Sequence, residues 1–190
     1  MKTKYFLLVL VLSSYTFGLQ AQIQTINTAK SSVSWLGKKI TGQHEGTIKI
    51  KSGFLEIKNN KISSGNFVID MNTISCSDLE DAGYNQKLVG HLKSDDFFGV
   101  GKFPNAILKI NNSSAFLNNV ASVKGQITIK GKTEDISFDV TNEKNTYSAK
   151  IEIDRSKFNV RYGSTSFFDT LGDKAIDDIF TLNIKLLTNN

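Results

Sequence analysis

The residues able to do chemistry gather in one stretch, Lys87-Leu88-Val89-Gly90-His91-Leu92-Lys93-Ser94-Asp95-Asp96-Phe97-Phe98. A carboxylate that orients an imidazole raises its basicity, so His91 with Asp95 or Asp96 is a candidate general acid–base pair. Against this, no nucleophile or second carboxylate stands at a telling spacing, and a histidine that packs at a helix end and hydrogen-bonds a rim is the competing reading. His44, in a glycine-flanked segment, is read in the same structural way. Asp70, Asp154, Arg155, Asp177 and Asp178 could act as carboxylate pairs or as a headgroup clamp, but such residues more often end strands, cap turns or form ion pairs. Asp154-Arg155 is assigned structural contacts, and no catalytic residue is assigned. Cys76 is the sole cysteine, so no disulfide within the chain can form. Two histidines without a paired-cysteine motif give no metal-ligand spacing, and no metal or cofactor is expected.

These groups must be positioned by elements that the hydropathy pattern defines. Ser77-Asp78-Leu79-Glu80 fits a capping box, and Leu79, Tyr84, Leu88 and Leu92 predict one loosely amphipathic helix after it. Ser94 is expected to cap a second short turn holding Asp95 and Asp96. Gly99, Gly101 and Pro104 end the excursion.

Most of the rest reads as strand, apart from a loop with Gly163 and Phe167-Phe168 after Phe158. Val33 and Trp35 alternate with serines. Ile48 and Ile50 alternate with Thr47, Lys49 and Lys51. Asn59-Asn60 suits a two-residue hairpin, because asparagine tolerates positive φ. Phe67, Ile69 and Met71 follow on one face of the return strand. After the helix, Ala106, Leu108 and Ile110 alternate, then Val123, Gly125, Ile127 and Ile129, with a turn expected at Gly131-Lys132-Thr133. Ile136, Phe138 and Val140 form the next inward face, then Tyr147, Ala149, Ile151 and Ile153, and finally Phe180, Leu182, Ile184 and Leu186. At least eight strands joined by short turns, without a βαβ rhythm, make an all-β sandwich or up-and-down barrel with a short helical insertion. A barrel of about eight strands is either filled by side chains or holds one small ligand, and alternation does not choose between the two.

The amino terminus carries Lys2, Lys4, an apolar run from Tyr5 to Leu12 and a plausible cleavage position at Ala21. This predicts a secretory signal peptide over residues 1–21 and a single domain over residues 22–190. The run is shorter than the roughly 20 apolar residues of a spanning helix, and no cysteine follows it to carry an acyl anchor. Loss of Lys2 and Lys4 lowers the formal charge from +5 to +3. The lysines are spread along strands without stacking aromatics, which argues against a nucleic-acid partner.

Several segments taken in order resemble the YceI family of exported polyisoprenoid-binding proteins: Trp35-Leu36-Gly37, His44-Glu45-Gly46, Ser64-Gly65-Asn66-Phe67-Val68-Ile69-Asp70-Met71, the stretch from Leu88 to Phe98, Lys102-Phe103-Pro104, Gly125-Gln126-Ile127-Thr128-Ile129-Lys130-Gly131 and Asp154-Arg155-Ser156-Lys157-Phe158. Gly99 departs from the acidic residue often found there, and Lys132 from the usual valine. The resemblance implies an antiparallel, lipocalin-like barrel of about eight strands around an elongated apolar pore. It implies as ligand a long-chain lipid such as a polyisoprenoid, an isoprenoid quinone or a fatty-acyl-type molecule. The pore lining it implies is Trp35, Ile48, Ile50, Phe67, Ile69, Met71, Leu88, Leu92, Phe97, Phe98, Ile127, Ile129, Phe138, Ile151, Ile153, Phe158, Phe180, Leu182 and Ile184, with His44, His91, Asp96 and Arg155 as polar rim or structural groups. It also implies a bacterial periplasmic or secreted location without stable membrane insertion, and makes a homodimer a reasonable expectation. In this reading Leu88, Leu92, Phe97 and Phe98 close the barrel as a lid, while His91, Asp95 and Asp96 fix its ends by capping and hydrogen bonds. Two alternatives stand beside the non-catalytic binder: an enzyme acting on an apolar substrate with His91 as base, and a filled-core interaction module.

Overall fold

The structure, a computed structural model, describes residues 20–189. The basic and apolar regions of the expected signal peptide lie outside the described residues.

Among the described residues there are nine strands, which follow the alternation in the sequence, and one α-helix. They are β1 (Gln22–Thr25), β2 (Ser32–Lys39), β3 (Gly42–Lys58), β4 (Lys61–Cys76), α1 (Ala82–Lys93), β5 (Asn105–Ser113), β6 (Val120–Ile129), β7 (Lys132–Glu143), β8 (Thr146–Asp154) and β9 (Ile179–Leu187). Burial alternates with the side chains. In β3, Ile48 and Ile50 are buried while Thr47, Lys49 and Lys51 are exposed, because successive Cβ atoms point to opposite faces. Asn59 and Asn60, at φ 54° and 58°, make the two-residue turn between β3 and β4. The β6–β7 turn falls at Lys130-Gly131, φ 50° and 76°, one residue earlier than Gly131-Lys132-Thr133. Lys132 is already paired with Ile129, so the ladder claims it.

The strands run in the order β3-β2-β9-β8-β7-β6-β5-β4, every pairing is antiparallel, and β4 pairs back onto β3. Eight strands therefore close into a barrel, which removes the free edges of an open sheet. β1 lies outside this ring and pairs with the far half of β3, from Phe54 to Ile57. The ring is thinnest between β7 and β8, whose ladder covers only Val140–Glu143 against Thr146–Ala149.

The helix starts later than its capping box. Asp81 is the N-cap, accepting from the Tyr84 N–H at 2.8 Å. Ser77 and Asp78 are drawn to β3 instead: the Ser77 N–H donates to the Glu45 carbonyl at 2.9 Å, and Asp78 Oδ1 accepts the Glu45 N–H at 2.9 Å. A residue tied to a strand edge cannot also open the helix. At the other end Ser94 closes α1, its N–H and hydroxyl both donating to the His91 carbonyl. The expected second turn with Asp95 and Asp96 follows, closed by the Phe97 and Gly99 N–H groups on the Ser94 carbonyl and not by the Ser94 side chain. Leu92 is buried and Leu88 half-buried, whereas Tyr84 stays exposed.

The interior has two packed clusters. Near the β3–β4 and β7–β8 hairpins, Leu55, Ile62, Val123 and Tyr147 fill the barrel, and the Tyr147 hydroxyl donates to Gln24 Oε1 at 2.9 Å. Near α1, Leu92, Phe97, Val100, Phe158 and Val160 pack against Met71 and Ile129.

Candidate functional site

Between these clusters the barrel encloses an apolar cavity of about 170 Å³, narrower than the roughly 300–1,000 Å³ of common small-molecule pockets and shaped for a slender chain. Its wall comes from every barrel strand and is apolar almost throughout. Trp35, Ile48, Ile50, Phe67, Ile69, Met71, Leu92, Phe97, Phe98, Ile127, Ile129, Phe138, Ile151, Phe180, Leu182 and Ile184 stand on it. Trp35, Phe138, Phe180, Leu182 and Ile184 face inward yet are only half-buried, because the interior opposite them is empty and not filled by other side chains.

Three residues expected on the wall are not there. Ile153 and Phe158 are buried at 3% and 2% exposure, where β8 runs into a 3₁₀ turn (Arg155–Phe158) and the barrel end is packed solid. Leu88 packs against the outside of the same cluster, one turn before Leu92, and only Leu92 reaches the interior. Conversely, Val33, Ile74, Leu108, Tyr147, Ala149 and Leu186 also line the space. For all of these but Ile74 the signal was the same period-two alternation, which marks an inward residue without saying what lies opposite it.

The segment after α1 closes the helix end with rings. Phe97 and Phe98 meet edge to face at 5.0 Å between centroids, and Phe98 meets Phe180 at 6.3 Å, geometries that the aromatic quadrupole favours. His91 joins this stack. Its ring is edge-on to Tyr162 at 4.3 Å and to Phe97 at 5.7 Å, while its buried Nε2 has no hydrogen-bond partner. The expected hydrogen-bonded His91 is thus corrected to an aromatic contact, and among the described residues no carboxylate pairs with it. Asp95 caps nothing; its carboxylate accepts from Lys102 Nζ at 2.7 Å, and that bond and charge hold it below the ordinary carboxylate range. Lys130 Nζ donates to the Asp95 and Asn159 carbonyls, and burial pushes its pKa down. Asp96 is exposed beside a polar cleft shared with Arg161 and Lys174.

Among the described residues Arg155 is the charged group built deepest into this end. It is 2% exposed. Its Nε donates to the Asp177 carbonyl, Nη1 to those of Val160 and Tyr162, and Nη2 to that of Ile176, all within 2.8–3.0 Å. Nη2 also lies 3.3 Å from the Asp178 carboxylate. Burial lowers the guanidinium pKa, and Asp178, Asp154 and Asp177 oppose that. With its donors spent on the 155–178 loop, Arg155 is a structural clasp that borders the cavity.

His44 sits elsewhere, at the start of β3, with Nδ1 2.8 Å from Asp78 Oδ2. Burial raises the Asp78 carboxyl, but the Glu45 N–H, His44 and the Cys76 thiol outweigh it and hold the pKa at about 2. Linear spacing shows no ligand motif here, yet the fold gathers a histidine, a cysteine and an aspartate. Nearby, the Trp35 indole N–H donates to the Ser75 carbonyl at 3.0 Å.

A closed eight-stranded antiparallel barrel around an apolar cavity, capped by a short helix and aromatic lid, is a lipocalin-like barrel. The chain belongs to the family of the YceI-like domain, whose profile matches residues 24–187. BcnA of Burkholderia cenocepacia is similar in structure, with a TM-score of 0.68 and 26% identity over 86% of this chain and 99% of that one. A polyisoprenoid binding domain from Saccharophagus degradans, implicated in plant cell wall breakdown, gives a TM-score of 0.58 at 12% identity over 87% and 97% of the two chains. The Campylobacter jejuni YceI protein gives 0.51 at 18% identity over 100% and 91%. No match was found among curated protein sequences.

Proposed function

We propose that this protein binds and carries a long-chain apolar lipid of the polyisoprenoid or isoprenoid-quinone type inside the barrel, without catalysis. The observation that carries this reading is the continuous apolar cavity running between the two packed clusters. Each buried CH₂ contributes about 0.8 kcal/mol, so a long hydrocarbon binds tightly there with few polar contacts. The description of the Saccharophagus degradans domain as polyisoprenoid-binding supports the same class of ligand. An empty interior speaks against the filled-core module. The absence of a carboxylate partner for His91 among the described residues speaks against its use as a base.

Mass spectrometry of organic extracts tests the proposal. Protein purified from several hosts is expected to yield one long-chain lipid per chain. Protein that comes out empty from every host and takes up no added polyprenol or quinone would overturn it. Residues 1–21, read from their sequence as a leader, support the proposal that the protein is exported to the bacterial periplasm or medium, and amino-terminal sequencing of fractionated protein is expected to begin near Gln22. Light scattering of the purified protein tests the homodimer.

A further inference from the structure

Away from the cavity, donor atoms of three kinds converge where β3, β4 and the chain leading to α1 meet. A His44 ring nitrogen, Cys76 Sγ and an Asp78 carboxylate oxygen all lie within 4.8 Å of one another. Backbone pairing holds two of the three carriers: His44 faces Gly37 across the β2–β3 ladder and Cys76 faces Gly46 across β3–β4. Asp78 is placed through its carboxylate, which accepts the Glu45 N–H. The Asn85 side-chain amide fixes the last turn by donating to the Cys76 and Leu79 carbonyls. Sites carried by such paired elements keep their geometry better than sites on free loops.

The carboxylate is already the meeting point of two donors. The Cys76 thiol donates to Asp78 Oδ1 at 3.1 Å, and His44 Nδ1 stands 2.8 Å from Oδ2. We propose that His44, Cys76 and Asp78 bind a divalent transition ion of the zinc class, one imidazole nitrogen, one thiolate and one carboxylate oxygen being completed by water. Nitrogen and sulfur donors select such ions over magnesium and calcium, which take oxygen. Bonds of about 2.0–2.3 Å around a tetrahedral centre set donors roughly 3.3–3.7 Å apart, so a pair at the 4.8 Å limit closes by about 1 Å while the 2.8 Å His44–Asp78 contact opens by about half an ångström, both within reach of side-chain rotation. Cys76 is buried, whereas the side chains of His44 and Asp78 are 30% and 28% exposed, so the ion enters from the histidine side and keeps its water there. Binding releases the thiol proton to solvent, and the imidazole proton that Nδ1 gives to Asp78 in the free protein is lost from Nδ1 and regained at Nε2 through solvent. The site also adjoins the cavity wall: Gly46 pairs with both Trp35 and Cys76, and Trp35 is the sole tryptophan of the chain.

The test is a titration of the purified, tag-free, reduced protein with Co²⁺, whose thiolate complexes show a sulfur-to-metal charge-transfer band in the near ultraviolet, followed by displacement with Zn²⁺. One ion per chain is expected, with the band and a change in Trp35 emission appearing together. Cys76→Ser is expected to abolish the band, and His44→Gln and Asp78→Asn to weaken binding at least tenfold. Folded wild-type protein that shows no band overturns the proposal, as does a band that persists unchanged in both His44→Gln and Asp78→Asn. The wild-type titration decides even if Cys76→Ser fails to fold.

Discussion

The Arg155 guanidinium lies over the Phe97 ring, 5.4 Å from guanidinium carbon to ring centroid, and so joins the loop after β8 to the segment that follows α1. One cation organises four carbonyls on one side and an aromatic face on the other. Truncating it, as in Arg155→Ala, strands the carbonyls of Val160, Tyr162, Ile176 and Asp177 and leaves Asp178 without its counter-ion. The expected loss is about 3–5 kcal/mol, the usual cost of breaking a buried pair, read from urea unfolding midpoints. Arg155→Lys keeps the charge but not the planar fork, and is expected to recover less than half of that loss.

Asp178 gives the clasp a pH dependence. Burial raises its carboxyl pKa, but the hydroxyls of Ser164 and Ser166 and the Arg155 charge overcome this and hold it below its ordinary value of 3.8. As pH falls the unfolded chain takes up the proton first. The stabilisation is therefore complete above the unfolded pKa and is lost as pH drops through the folded one. The difference in urea midpoint between wild type and Asp178→Asn is expected to be constant well above the ordinary value of 3.8 and to vanish as pH falls through the lowered value in the folded protein. A difference that does not change with pH would show that Asp178 gains nothing from its charge.

Filling the cavity separates binding from folding. Ala149 stands on the wall between Val140 and Ile184, and Ala149→Phe projects a ring into empty apolar space. Displacing even two methylenes of a ligand removes about 1.6 kcal/mol, roughly a tenfold loss of affinity. Retained lipid per chain is expected to fall by at least that factor, while the melting temperature stays at or above that of the lipid-free wild type. Equal lipid content in both proteins would place the ligand elsewhere.

His91 distinguishes packing from chemistry. Its buried Nε2 makes no hydrogen bond, and an unsatisfied buried polar group costs about 1–3 kcal/mol. His91→Phe keeps the edge contact with Tyr162 and removes that cost, so thermal stability is expected to hold or rise with lipid content unchanged. A clear loss of stability would reveal a polar role for the imidazole.

Much of the barrel was legible because its signals are local. Clean alternation at Thr47–Lys51 identifies a strand face in five residues, and Asn59-Asn60 identifies a turn in two. The capping box at Ser77-Asp78-Leu79-Glu80 misled for the opposite reason. Its chemistry is local, but Asp78 is captured by Glu45 and His44, more than thirty residues away in sequence.

The same division separates what the sequence by itself determined from what only the tertiary structure decided. Residue spacing determined the antiparallel strands, the inward set from Ile48 to Leu186, the helical insertion and the aromatic pair Phe97-Phe98. Closure of β4 onto β3 decided the rest. It left the space before Phe180, Leu182 and Ile184 empty while packing Ile153 and Phe158 solid, although all five alternate or follow alternation alike. It also gathered four carbonyls around Arg155 and brought His44, Cys76 and Asp78 together. Periodicity reports which face a side chain takes, whereas occupancy of the space beyond that face depends on how distant strands meet.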